Sequence, residues 1–222
     1  MNIVPANSRG YLKIEGAVRA FNFDFRGKTV LDIGSSTGGF TELALKCGAK
    51  KVIAVEKGSH QMKAPLRFDP RVELHEKTDV FTVRVKNTSS SDTRRSAPAS
   101  QGAFEAARPS LRSSKEVFLT SSPDVIVADI SFLSLTKILK YAKMELARQS
   151  TQFLVMLKPQ FEARPEQLNK GVVKNEKMRR EILRGFEIWL KQNGFVVVKK
   201  HDNELRGKTG NIERFYYLQL EK

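Results

Sequence analysis

The sequence holds a single cysteine, Cys47, so no internal disulfide can be drawn, and a reducing, intracellular setting is expected. Histidine is nearly as scarce. His60, His75 and His201 stand far apart and show no metal-ligand spacing, so no metal is expected. No run of about 18 apolar residues occurs, and the first residues lack a charged start followed by an apolar core. A membrane span and a secretory leader are therefore not expected, and the localisation expected is cytoplasmic. Negative charge is in deficit, with 24 Asp and Glu against 39 Lys and Arg, a formal net charge of +15. No fold requires that excess; it favours a polyanionic partner, with nucleic acid the first candidate, although basic residues can also simply keep a surface soluble.

At 222 residues and 40% hydrophobic content the chain can bury the core of one large α/β domain. From Lys28 onward, short β-branched runs alternate with longer stretches of helical period, the pattern of βαβ units. Strands are predicted over Thr29–Ile33, Lys51–Glu56, Val72–His75, Asp124–Asp129 and Gln152–Leu157. A helix over Gly38–Cys47 places Phe40, Leu43, Ala44 and Cys47 on one face, with Gly48 to end it, and a second aligns Leu135, Ile138, Leu139 and Ala142. A third runs over Asn175–Asn193. The last strands, Phe195–Val198 and Arg214–Leu220, lack a helix between them and are expected as antiparallel neighbours at a sheet edge. The expected architecture is a Rossmann-like, seven-stranded mixed sheet, mostly parallel with the last strand antiparallel, and helices on both faces. One domain over residues 1–222 is expected. It is interrupted at 84–122 by a Ser/Arg/Pro-rich stretch too poor in apolar residues to offset its ordering entropy. That stretch reads either as a tolerated disordered loop or as a basic arm for nucleic acid, its seven Arg and Lys exceeding its three acids.

Leu31-Asp32-Ile33-Gly34-Ser35-Ser36-Thr37-Gly38-Gly39-Phe40 reads as a strand, a glycine-rich turn and a helix start. A phosphate-cradling P-loop needs a lysine after its last glycine, which is absent at Phe40, and a dinucleotide fingerprint needs glycine where Ser36 stands. What remains suits S-adenosylmethionine, which has no phosphate but carries an ammonium, a carboxylate and a ribose. Asp32 and the turn Gly34, Ser35, Ser36, Thr37, Gly38, Gly39 and Phe40 are the candidate contacts to its methionine part. Glu56, 22 residues after Gly34, ends the next strand, where a carboxylate can accept from both ribose hydroxyls; the alternative is a strand-end pair with Lys57 or Lys51. Asp79 is placed to receive the adenine amino group, or equally to form a turn.

Two apolar strands end in a charge, Asp129 in Val125-Ile126-Val127-Ala128-Asp129 and Lys158 in Val155-Met156-Leu157-Lys158. In an open α/β sheet both ends face the ligand crevice, so the acid and the amine should meet across the cofactor. A lysine can take a proton from a sugar hydroxyl only where burial and nearby positive charge disfavour its ammonium form. Asp129 and Glu213 are expected to orient that amine.

The segments Ser8-Arg9-Gly10-Tyr11-Leu12-Lys13, Leu31 to Phe40, Asp129-Ile130-Ser131-Phe132, Lys158-Pro159-Gln160-Phe161-Glu162, Lys170-Gly171-Val172-Val173 and Gly210-Asn211-Ile212-Glu213 together resemble the TlyA-type (hemolysin A-like) ribosomal RNA 2′-O-methyltransferases, a branch of the FtsJ-like fold. The resemblance covers nearly everything outside 84–122. It implies a Lys-Asp-Lys-Glu tetrad, falling here on Lys13, Asp129, Lys158 and Glu213, with Lys158 as base, S-adenosylmethionine as cofactor and ribosomal RNA as partner. It also implies an N-terminal RNA-binding domain for which this sequence has no room before Ser8, so RNA affinity is expected from the basic surface, the 84–122 stretch or a partner. A different reading is a non-catalytic RNA-binding or ribosome-assembly factor that keeps the fold; the four filled tetrad positions argue against it. An acceptor on a protein amine would suit an Asn-Pro-Pro-Tyr-like tetrapeptide, which Asp129-Ile130-Ser131-Phe132 is not.

Overall fold

The computed structural model describes residues 8–86, 116–205, 207 and 210–222. The chain begins with helix α1 (Arg9–Phe21), an element the hydropathy pattern leaves unassigned. The Ser8 side chain caps it by accepting from the Tyr11 N–H at 3.2 Å, and Asn22, at φ 51°, ends it. Its buried stripe is Tyr11, Ile14, Ala17 and Phe21.

Strands β1 (Thr29–Ile33), β2 (Lys51–Val55) and β3 (Val72–His75) follow, with α2 (Gly39–Lys46) between the first two. A short parallel ribbon of β4 (Val83–Val85) and β5 (Val117–Leu119) comes next. Then come β6 (Val125–Ala128), α3 (Leu135–Glu145) and β7 (Gln152–Leu157). The small hairpin of β8 (Leu168–Asn169) and β9 (Val172–Val173) leads to α4 (Glu176–Gln192), β10 (Phe195–Asp202) and β11 (Arg214–Leu220).

The main sheet has seven strands in the order β10-β11-β7-β6-β1-β2-β3. β11 runs antiparallel to both neighbours, and the other pairings are parallel. This is the sheet expected from sequence, with β11 slotted between β7 and the edge strand β10. β10 extends four residues past Val198, to Asp202, with a register irregularity between Val197 and Lys199. The 84–122 stretch is narrower than its bounds suggest, because Arg84, Val85 and Val117–Leu119 are paired strand residues. Phe81 and Val83 carbonyls accept from the Tyr141 hydroxyl of α3, which ties the ribbon to the sheet. The remainder, 87–115, lies outside the described residues.

Strand alternation divides the core into two layers. Leu31, Ile33, Ile126 and Val155 face Ile138 and Leu139 of α3 and Leu183 and Phe186 of α4. Val30, Val127, Met156 and Phe215 face Ile14 and Ala17 of α1 and Phe40 and Leu43 of α2. Chain order reverses between β1 and β6: the path leaves β1 for β2 and β3, then returns to β1's other side. Such a switch point opens a crevice at the carboxyl ends of the strands.

Candidate active site

The turn after β1 occupies that crevice. Gly34 has φ +79°, and a Cβ there would stand 2.8 Å from the Asp129 carbonyl oxygen, so the turn passes β6 at a distance only glycine allows. Gly39 opens α2 beneath α1; a Cβ would lie 2.5 Å from the Tyr11 nitrogen. The two helices are therefore locked together where both begin.

Gly34, Ser35, Ser36, Thr37, Gly39 and Phe40 line a cavity of about 1540 Å³, together with Ser8, Arg9, Gly10 and Lys13 of the first turn and a half of chain, and Asp129, Lys158 and Glu213. The residues fit a cofactor with a polar amino-acid end. The turn is free of Cβ atoms at its closest approach, and the buried Ser35 hydroxyl has no protein partner.

The three acids expected around the cofactor are placed differently. Asp32 is fully buried and does not line the cavity; its Oδ2 accepts from the Thr41 hydroxyl of α2 at 2.6 Å, while Oδ1 has no partner. Burial pushes its carboxyl up to about 7, with the hydrogen bond from Thr41 pulling the other way and Asp129 adding to the rise. Asp32 thus anchors α2 under the turn. Glu56 accepts from the backbone N–H of Ser36 at 2.9 Å and of Gly58 at 2.6 Å, so it braces the turn rather than pairing with Lys57 or Lys51. Asp79 caps a short turn through the Phe81 N–H at 3.1 Å and meets Lys57 at 3.2 Å. Neither Glu56 nor Asp79 lines the cavity.

Four segments far apart in sequence bring the tetrad residues to one cavity. Asp129 and Lys158, at the ends of β6 and β7, pair at 2.6 Å. The Lys158 ammonium donates to Ser131 Oγ at 2.8 Å, and Asp129 Oδ1 meets it as a close ion pair outside hydrogen-bond alignment. Lys13, on α1, pairs instead with Glu213, which precedes β11; the two are 7% and 2% exposed. Glu213, expected to orient Lys158, meets Lys13, while Asp129 and Ser131 meet Lys158. A buried ammonium requires a nearby counter-charge, and Glu213 supplies it.

Residues outside the expected set also line this cavity. Phe132, at φ +71° and 87% exposed, stands over the mouth with Phe161, ring centroids 5.8 Å apart. Gln160 is a cavity residue with an unpartnered carbonyl oxygen, and Ser131 is the hydrogen-bond acceptor of Lys158. The signal available in sequence was position: all four lie within three residues of Asp129 or Lys158.

A Rossmann-like sheet with a glycine turn at its switch point and an acid and a lysine at the adjacent strand ends defines a methyltransferase. The model of the FtsJ-like methyltransferases matches residues 6–220, and the chain belongs to that family. Among curated relatives, Hemolysin A of Brachyspira hyodysenteriae is 34% identical over 93% of this chain and 73% of its own length. The 16S/23S rRNA (cytidine-2′-O)-methyltransferase TlyA of Mycobacterium tuberculosis is 31% identical over 96% of this chain and 68% of its own. A solved hemolysin-named protein from Streptococcus thermophilus superposes with a TM-score of 0.76 at 30% identity, covering 99% of this chain and 68% of that one. Among the described residues no helix is long and apolar enough to cross a membrane.

Proposed function

We propose that this protein transfers a methyl group from S-adenosylmethionine to a ribose 2′-hydroxyl of ribosomal RNA. The observation that carries the proposal is the convergence of Lys158–Asp129 and Lys13–Glu213 on the cavity that the glycine turn also lines. The TlyA relative, named as acting on a cytidine 2′-oxygen of ribosomal RNA, supports the same acceptor.

When bound, S-adenosylmethionine supplies an electrophilic methyl group. Gly34, Ser35, Ser36, Thr37, Gly39 and Phe40 would hold it, with Glu56 fixing the turn. Lys158 Nζ, in its neutral amine form, would receive the hydroxyl proton, Asp129 and Ser131 would aim that nitrogen, and Lys13 with Glu213 would set the sugar in place; the protein would act mainly by orientation. The basic surface contributes RNA affinity. The test is transfer from a tritiated methyl donor to total ribosomal RNA and purified ribosomal subunits. Lys158→Ala should lower transfer by about 10²-fold or more. Undiminished transfer by that variant removes Lys158 from the mechanism, and an inactive unmodified protein overturns the reading. Mapping 2′-O-methylation in cells with and without the protein then identifies the nucleotide.

A further inference from the structure

The loops after β6 and β7 touch at three places, one of them the Phe132–Phe161 ring contact described above. The near contact is the pair of Lys158 with Asp129, with Ser131 as acceptor. The far contact is made by Glu162, the last residue of Lys158-Pro159-Gln160-Phe161-Glu162, which no role described above uses. Its Oε1 accepts the Leu135 N–H and its Oε2 the Ser134 hydroxyl, each at 2.6 Å. Ser134 is the cap of α3, accepting from the Thr136 N–H at 3.2 Å. Glu162 does not line the reaction cavity; it lines a second, small cleft beside Phe186 and Trp189 of α4. Between the near and far contacts runs only a short turn, Pro159–Phe161.

We infer that Glu162 is a positioning residue for methyl transfer: its carboxylate fastens the Lys158 loop to the start of α3, and thereby holds the Lys158 amine against Asp129 and Ser131. The inference rests on the function proposed above. A carboxylate taken from water needs such donors, and here one anion satisfies a backbone donor at a helix start and a hydroxyl at once. Burial raises its carboxyl above the ordinary value against both hydrogen bonds. The two bonds, each at 2.6 Å, restrain the segment that follows Lys158 by joining it to a helix start. Without the far contact the two loops are joined by the pairing of Lys158 with Asp129 and Ser131 and by the Phe132–Phe161 rings.

The test compares the unmodified protein with Glu162→Ala, Glu162→Gln and Ser134→Ala. Steady-state transfer to ribosomal RNA and ribosomal subunits is measured per cofactor-binding site, counted by calorimetric titration with S-adenosylmethionine. Glu162→Ala should lower kcat per site by about 10- to 100-fold, with KM for donor and RNA little changed. Glu162→Gln should keep activity within a few-fold, since an amide can accept from Leu135 and share a hydrogen with Ser134. Loss of folded protein alone would change the number of sites and leave kcat per site intact. Should Glu162→Ala fail to bind donor, Ser134→Ala carries the test through a smaller fall in kcat, and an unchanged kcat there overturns the inference. An unchanged kcat per site in Glu162→Ala, or an equal loss in the glutamine variant, also overturns it. Because Lys158→Ala is run alongside, its loss with no effect at Glu162 leaves the proposed function standing, whereas an inactive unmodified protein removes both.

Discussion

Asp32 stands at a motif position whose side chain the fold directs away from the cavity lining and onto Thr41. The sequence places an acid one residue from the strand end, which suggests contact with a cationic cofactor. Alternation along β1 instead turns the side chain toward α2, where Thr41 receives it. Its carboxyl, raised to about 7 by burial, gives a pH signature. Between the ordinary carboxylate value near about 4 and about 7, the unfolded chain binds fewer protons at this group than the folded one, so the group's contribution to stability falls as pH rises through that window. Asp32→Asn removes this term and can still accept from Thr41. Melting temperature from pH 4.5 to 7.5, on the order of that window, should decline less steeply with pH in the variant; an identical slope would mean Asp32 is ionised without cost in the folded protein. Lys13 marks the opposite limit. No spacing rule links it to Glu213, since the pair joins helix α1 to the segment before β11, and only likeness to a family could point to it before the fold was known.

At the scale of elements, the sheet was legible and α1 was not. Thr29–Ile33, Val72–His75, Gln152–Leu157 and Arg214–Leu220 were bounded correctly; the near-continuous apolar runs of β1 and β7 mark strands buried on both faces, while β3 is a half-buried edge strand. α1 has Gly10 and Gly16 within it, each costing roughly 1 kcal/mol of helix propensity, and its charges interrupt the apolar stripe. Its stability comes from packing of Tyr11, Ile14, Ala17 and Phe21 on the sheet, which a local pattern cannot report. Its start is fixed by one side chain, so Ser8→Ala should cost about 1 kcal/mol in chemical denaturation. Because Ser8 and Gly10 line the cavity, donor affinity should weaken with it. Full retention of both stability and affinity would show that α1 is held by packing alone.

For the molecule as a whole, the +15 charge predicts a difference between its two ligands. RNA binding should weaken by more than about tenfold between 50 and 200 mM salt, on the order expected when several phosphates are neutralised. Binding of S-adenosylmethionine, held by a turn and not by a field, should change little. Parallel salt dependence in the two titrations would contradict a polyanion surface. The whole-molecule level is also where composition was most informative, since charge survives any rearrangement of elements, and least informative about geometry, since it says nothing of which face bears it.

The pairing of Lys13 with Glu213 also bears on how the protein is made. One partner lies in the first described helix and the other immediately before the last strand, and β11 is laid between β7 and β10, strands synthesised earlier. During translation the Lys13 ammonium lacks this counter-charge until Glu213 has been made, and the sheet beside Lys158 stays open until β11 fills it. The arrangement of Lys13, Asp129, Lys158 and Glu213 around one cavity therefore forms only after β11 has been synthesised.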